Sequence, residues 1–308
     1  MKVAIRIRNL VKKYPRVVAL KGINIEVPEG NIYGLLGPNG AGKTTTVNIL
    51  ATLLKPSSGT VQIYGFDVTA QPKDVRRLID IVPQRLCLDL RLTGFKNLYF
   101  HGRLKGVPPR LLLKRIDELA EALEMKRHLK RKVREYSGGM IRKVQIMQAL
   151  VTQPKVLLLD EPTLALDPVS RRIVWDLLKR LVLEKKTTIF MATHNTVEAE
   201  ILCDKVGLLN HGLLIKEGSP RTLREQLGVG VLEIRTKEEY LNKVVSIVPD
   251  YLKGKVVQIR STLYVFLDKE DYFETLSAKI RDYCLEIVYR KITLEDVFIK
   301  EVRRKIAG

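Results

Sequence analysis

Gly37-Pro38-Asn39-Gly40-Ala41-Gly42-Lys43-Thr44 is the stretch from which the rest of the chain is read. It fits G-x-x-x-x-G-K-[ST] at every defined position. Ile32 to Leu36 reads as a short buried strand before it, and Lys43 to Leu53 as a helix after it, with apolar residues at Val47, Leu50 and Leu53. A strand, a glycine turn and a helix start together let successive backbone N–H groups and the helix dipole face an anion. Glycines at 37, 40 and 42 keep side chains out of the way of phosphate oxygens. Lys43 then reaches the β- and γ-phosphates of a nucleotide, the Thr44 hydroxyl sits on Mg²⁺, and Thr45 completes the cradle.

Working outward, the 308 residues are enough for two domains with real cores. The 54 Lys+Arg against 34 Asp+Glu give a formal net charge of +20, which asks for an anionic neighbour. Nucleic acid, an anionic membrane surface and nucleotide all answer, as does a thermophile's charged surface. No apolar run approaches the ~20 residues of a membrane span, and Met1 to Arg8 alternates like a strand instead of forming a signal peptide's apolar block. The expectation is a soluble, cytosolic chain. Cys87, Cys203 and Cys284 are lone thiols without metal spacing, suited to ordinary packing in a reducing compartment.

Before the cradle, Val3 to Arg8, Val17 to Leu20 and Ile23 to Val27 read as antiparallel strands. Tyr14 is a loop aromatic able to stack on a flat ring, although such a residue standing alone is more often half-buried filler. After the cradle, Ile79 to Val82 is a short apolar run ending at Pro83-Gln84. Gln84 could offer an amide to a metal or water beside the γ-phosphate, or be a solvated loop amide. From Leu92 to Glu135 the pattern is helical and charged, with Lys126, Arg127, Lys130, Arg131, Lys132 and Arg134 free of any acid. Such a run is usually a solvated face.

Ser137-Gly138-Gly139 opens a helix carrying Ile141, Val144, Met147 and Val151 on one face. Ser137 is its N-cap, and the two glycines leave helix-start N–H groups bare, a second ready-made anion site. Val156 to Leu159 reads as a buried parallel strand ending in Asp160-Glu161, and Thr187 to Ala192 as another ending in Thr193-His194. In open α/β sheets ligands bind beyond the carboxyl ends of strands, so Lys43, Asp160, Glu161 and His194 are placed to converge. Two carboxylates closing a buried run are costly unless a cation satisfies them. With Mg²⁺ as that cation, Asp160 anchors the metal and Glu161 takes a proton from, or orients, the attacking water. His194 alone would be read as a hydrogen-bonded core histidine. Asp167-Pro168 starts a helix over Val169 to Leu183, fully explained as N-cap and N1 proline.

Gly228-Val229-Gly230 is the boundary candidate, dividing a nucleotide-binding domain (1–228) from an accessory domain (229–308). Beyond it the pattern reads strand, helix, two strands, helix (Tyr272 to Cys284), strand, the ferredoxin-like βαββαβ order, before a last helix capped by Thr293-Leu294-Glu295-Asp296. The fold class is therefore α/β: a P-loop NTPase cassette with a mixed sheet core, antiparallel and helical subdomains, and a small α+β domain after it.

With these residues in hand, the chain resembles the ATP-binding subunit of an ABC transporter over residues 1 to 225. Gly37 to Thr44 match the Walker A loop, Gln84 the Q-loop, Ser137-Gly138-Gly139 the signature, and Leu157 to Glu161 the Walker B segment. Asp167 matches the D-loop, His194 the switch histidine and Tyr14 the A-loop aromatic. Tyr136 to Met140 and Thr293 to Phe298 are similar to the drug-exporter-like branch. Ala165 departs from the family, many of whose members carry Gly there. The resemblance implies ATP and Mg²⁺ as cofactors, and a head-to-tail dimer in which ATP lies between one cradle and the partner's signature. It also implies an integral-membrane permease as partner, and a peripheral position on the cytoplasmic face of the cell membrane. Transport, with export the expected direction, is the main reading, and a non-transport ATPase on ribosome or nucleic acid is the alternative. The 45–136 segment is too short for the coiled coil of repair types, and the single cassette is unlike the translation types, which makes nucleic acid the unfavoured partner.

Overall fold

The computed structural model describes residues 2–253, 255–269 and 272–304. The chain divides into two compact units, Met1–Lys216 and Glu217–Gly308. The first begins with β1 (Val3–Tyr14), β2 (Val17–Pro28), β3 (Ile32–Leu36), α1 (Lys43–Leu50), β4 (Ser58–Ile63), β5 (Phe66–Asp67), α2 (Pro72–Leu78) and β6 (Ile79–Val82). A helical stretch follows, α3 (Gly94–Leu104), α4 (Pro109–Ala122) and α5 (Gly138–Leu150). It closes with β7 (Val156–Asp160), α6 (Pro168–Lys185), β8 (Thr188–Thr193), α7 (Thr196–Leu202), β9 (Lys205–Asn210) and β10 (Leu213–Gly218).

Two sheets build this unit. One has the order β10-β9-β3-β8-β7-β6 and runs parallel from β9 through to β6. Every residue of β3, β7 and β8 is buried, as strands covered on both faces must be. The other sheet, β2-β1-β4-β5, is antiparallel. The separate runs expected before the cradle merge into two long strands, because irregularities near Asn9 (φ 48°) and Gly22 (φ 89°) absorb the slips in alternation. The Asn24 side chain accepts from the Asn9 N–H at 2.9 Å and holds that irregularity. Ile5, Ile7, Ile25, Val47, Leu50, Leu158 and Phe190 belong to the one apolar cluster that α1 shares with both sheets.

Helix α1 stops at Leu50, not Leu53. Thr52 turns the chain at φ 61°, and Leu53 is left 67% exposed. Helix α6 turns Val174, Trp175, Leu177 and Leu178 inward. In the basic run, Lys126 pairs with Asp117 (3.0 Å) and Glu121 (3.4 Å), while Arg127, Lys130, Lys132 and Arg134 are exposed.

The second unit contains α8 (Pro220–Glu225), β11 (Gly230–Thr236), α9 (Glu238–Ile247), α10 (Asp250–Lys253), β12 (Val256–Ile259), β13 (Thr262–Leu267), α11 (Tyr272–Ile280), β14 (Cys284–Arg290) and α12 (Leu294–Arg304). Its antiparallel sheet has the order β12-β13-β11-β14. Leu232, Ile234, Leu263, Val265, Leu276 and Ile280 form its core. Helix α11 ends at Ile280, and a single 3₁₀ turn over Arg281–Tyr283 occupies the rest of the helix expected to Cys284.

The start of α12 is held by Asp296, which reaches back to Thr293. Both the N–H and the hydroxyl of Thr293 donate to Asp296 Oδ2 at 2.8 Å. The fully buried Asp296 carboxylate also receives the Arg290 fork at 2.7 and 2.9 Å, so four hydrogen bonds satisfy it. Asp296→Ala leaves Arg290 with only the longer Glu233 contact, at 3.5 Å, as an ion pair. Because Arg290 keeps a third of its side chain in water, the expected loss is about 2–3 kcal/mol, below the range for breaking a fully buried pair. Urea unfolding should show an earlier transition in the second unit alone.

Candidate active site

Register brings the site together. In the parallel sheet Leu36 lies opposite Thr193, and Asp160 opposite Ala192, so β3, β7 and β8 end at one level. The turns that leave them are pinned to each other: Gly37 N–H donates to Thr193 O (3.3 Å) and Glu161 N–H to Ala192 O (2.8 Å).

The cradle is tight where its glycines stand. A Cβ on Gly37 would lie 2.3 Å from the Leu209 carbonyl oxygen, and one on Gly42, whose φ is 112°, 2.6 Å from that of Ala19. Neither position admits another residue. Gly42 caps α1 with no side-chain hydrogen bond, and the first turn carries no acid, so the leading N–H groups have no built-in acceptor. Asn39, Gly40 and Thr44 are exposed at its mouth, while Pro38 and Thr45 are half-buried and Ala41 is buried.

The Lys43 ammonium is buried against the cradle, donating to Gly37 O (2.8 Å) and Pro38 O (3.1 Å), with Glu161 Oε1 at 3.6 Å. Burial lowers its pKa, and the Glu161 and Asp160 charges oppose that shift. The other Glu161 oxygen lies 2.8 Å from His194 Nδ1. His194 keeps 52% of its side chain exposed, which excludes the core-histidine reading. Burial pushes the Asp160 carboxyl above its ordinary range, while the Thr44 hydroxyl pulls it down; Glu161 adds to the rise and Lys43 opposes it. Asp160 Oδ1 is buried without a hydrogen-bond partner. Lys43, Thr44, Asp160, Glu161 and His194 thus form one connected group.

The other candidates stay outside it. Tyr14, at the end of β1, is 40% exposed with Lys12 Nζ over its ring at 5.3 Å. Gln84 is exposed on the loop after β6. Ser137 and Gly138 are exposed and Gly139 half-buried at the start of α5, where Ser137 Oγ accepts from Met140 N–H at 3.3 Å. Asp167 caps α6, accepting from Val169 and Ser170 N–H at 3.0 and 2.9 Å.

A phosphate cradle, two carboxylates and a histidine at the ends of adjacent parallel strands can bind a nucleoside triphosphate and direct water at it. The ABC transporter family model matches residues 20–164. The chain is 42% identical over 232 residues to the daunorubicin/doxorubicin resistance ATP-binding protein DrrA of Streptomyces peucetius, covering 75% of this chain and 70% of that protein. It is 34% identical to the Nod factor export ATP-binding protein I of Rhizobium sp. (strain N33), covering 99% of each. This chain belongs to the ATP-binding subunits of ABC transporters. Among solved structures, a dimeric ATP-binding cassette in a post-hydrolysis state bound to ADP and Pi superposes with TM-score 0.65 and 29% identity, over 70% of this chain and 98% of that one. The first unit is an ABC ATPase cassette, and ATP is its nucleotide.

Of the buried charges that escaped the sequence reading, two stand beside the site. Glu198, on α7, accepts from Thr193 Oγ1 (2.8 Å) and from Trp175 Nε1 (3.2 Å), tying the end of β8 to α6. Arg142, on α5, donates to main-chain oxygens just after β6 and at the end of β7. The available signal was a charged residue next to an apolar one at an inward helical position.

Glu161 (φ 52°) and Ala165 (φ 67°) both adopt left-handed backbone. At Ala165 this backbone is one that a glycine adopts without strain. An L-residue in this region costs about 1–2 kcal/mol, part of which a glycine's freer unfolded chain takes back. Ala165→Gly should therefore raise stability by roughly 0.5–1 kcal/mol, read as a melting-temperature rise of a few degrees.

Proposed function

We propose that the chain is the ATP-hydrolysing subunit of an exporter. In this reading two copies pair head to tail around ATP, on the cytoplasmic face of a cell membrane, and drive an integral-membrane permease. The contact that carries the proposal is Glu161 held between Lys43 and His194 at the mouth of the cradle. The relatives named for daunorubicin/doxorubicin resistance and for Nod factor export support the direction. The dimeric solved cassette supports the pairing.

The roles follow from chemistry. The Lys43 ammonium exchanges the Gly37 and Pro38 carbonyls for β- and γ-phosphate oxygens, cradled by the leading N–H groups of α1 from Lys43 to Thr45. Glu161 accepts the proton of the attacking water, and His194 holds Glu161 and the terminal phosphate in register. Tyr14 stacks on the base, and the partner copy's Ser137, Gly138 and Gly139 close over the phosphate from the other side, with Asp167 lining the seam. Asp160, Thr44 and Gln84 would hold Mg²⁺. The unpartnered Asp160 oxygen beside the Thr44 hydroxyl fits this. Among the described residues no three or more His, Cys, Asp or Glu are set to hold a metal ion by themselves, so this cation would need oxygens from the nucleotide and water. Bound there, Mg²⁺ neutralises charge on the phosphate oxygens.

We assign residues 1–228 to the cassette and 229–308 to an accessory domain. The strand order β12-β13-β11-β14, with β12 and β13 as a hairpin, supports a ferredoxin-like reading of the latter.

Glu161→Gln should retain ATP binding, lose roughly 10²- to 10⁴-fold in turnover, the span for a general base, and accumulate ATP-bound dimers on gel filtration. Parental turnover in this variant would remove Glu161 from the mechanism. The metal assignment has its own test. A carboxyl whose folded pKa is raised costs stability as pH rises from its unfolded value through its folded one. Asp160→Asn should therefore melt higher than the parent at neutral pH without nucleotide. It should also lose the extra melting-temperature rise that magnesium adds to ATP.

A further inference from the structure

Arg142 lies on α5, five residues after Ser137, and is 5% exposed. It stands beside no hydrogen-bonded carboxylate. Its Nε donates to Pro162 O at 2.8 Å, Nη1 to Pro83 O at 2.6 Å, and Nη2 to both Asp160 O and Glu161 O at 2.7 Å. Burial lowers its pKa, chiefly against the nearby Asp160 charge, but a guanidinium stays protonated in any such setting. A buried permanent cation satisfied by carbonyl oxygens is expensive to build. Its acceptors are the residue before Gln84, the two carboxylate-bearing residues themselves, and the residue that follows them.

The neighbouring turn of α5 repeats the pattern. Gln145 Nε2 donates to Arg85 O at 2.9 Å, on the far side of Gln84. Gln84 is thus bracketed by main-chain bonds from one helix, and that helix starts at Ser137. Glu161 is the strained residue of the set, at φ 52°, and Arg142 grips its carbonyl. A rigid helix cannot shift its N-terminus without shifting this fork.

We propose that Arg142 is a positioning residue coupling the two ATP sites of the dimer: engagement of Ser137 with nucleotide in one site is transmitted through α5 and its fork to Gln84 and Glu161 in the other. The proposal rests on the head-to-tail pairing above. A lysine cannot replace the planar fork, which spreads its donors over four carbonyls at once.

The test uses the full chain and its Arg142→Ala and Arg142→Lys variants. Folding is checked by circular dichroism, monomer binding by a fluorescent ATP analogue, and steady-state turnover by varying Mg²⁺ and ATP together. The parent should pair with ATP and show a Hill coefficient above one. Both variants should bind the analogue within twofold of the parent, lose about tenfold or more in kcat, as misplacement of a catalytic group does, and fall to a Hill coefficient of one. Millimolar guanidinium should restore part of the turnover and cooperativity of Arg142→Ala. Arg142→Lys, which keeps the site filled and charged, decides the matter should the alanine variant not fold. Parental kcat and Hill coefficient in a folded variant would overturn the proposal, and so would lost turnover with cooperativity retained, which marks a structural pin. A parent that neither pairs nor cooperates would sink the dimer reading itself, a failure visible before any variant is made.

Discussion

A buried carboxylate has to be satisfied, and the cassette is arranged around how Glu161 is satisfied. One oxygen faces Lys43 at 3.6 Å, and the other meets His194 at 2.8 Å. The main-chain N–H of Glu161 is spent on Ala192 and its carbonyl on Arg142. Each partner comes from a different element: the helix after β3, the turn after β8, β8 itself, and α5. Loss of the strand-end alignment would leave an uncompensated charge costing several kcal/mol. The parallel register and the carboxylate therefore enforce one another.

The chain of consequences runs outward from there. Lys43 occupies its place because Gly37 and Gly42 allow the loop to pass against Leu209 and Ala19 without a Cβ between them. His194 occupies its place because Thr193 is buried and bonded to Glu198, which is also held by Trp175. The sole tryptophan thus sits one hydrogen bond from the residue that anchors the switch loop. Packing of α6 and geometry at His194 are the same problem solved once.

Much of this was legible in the residues. The cradle, the two carboxylates and His194 were readable because each follows an apolar run that can only be a buried strand, and strand ends of such sheets face the ligand. The accessory elements were readable from alternation and from the Thr293–Asp296 cap. What stayed hidden was of two kinds. Backbone irregularities, such as the slips at Asn9 and Gly22 and the turn at Thr52, depend on a single residue leaving the allowed pattern, and periodicity averages that away. Buried polar groups whose partners are carbonyl oxygens were the other kind. Arg142 finds its acceptors distant in sequence, and a carbonyl carries no residue identity by which a sequence could announce it.

The strained positions carry the last step. Glu161 and Ala165 bound a short segment containing Pro162 and Thr163, and both hold left-handed backbone that costs an L-residue about 1–2 kcal/mol each. At Glu161 the cost is held by bonds at both ends of the residue, to Ala192 and to Arg142, and its carbonyl also closes a turn with Leu164 N–H at 3.2 Å. Across Ala165 a turn of the same kind is closed, Leu166 N–H to Thr163 O at 3.2 Å, before Asp167 starts α6. What sets Glu161 apart is the pair of bonds from β8 and α5, and such strain persists only where its surroundings over-determine it. That difference makes Glu161, and not the loop after it, the residue whose geometry answers to the position of α5.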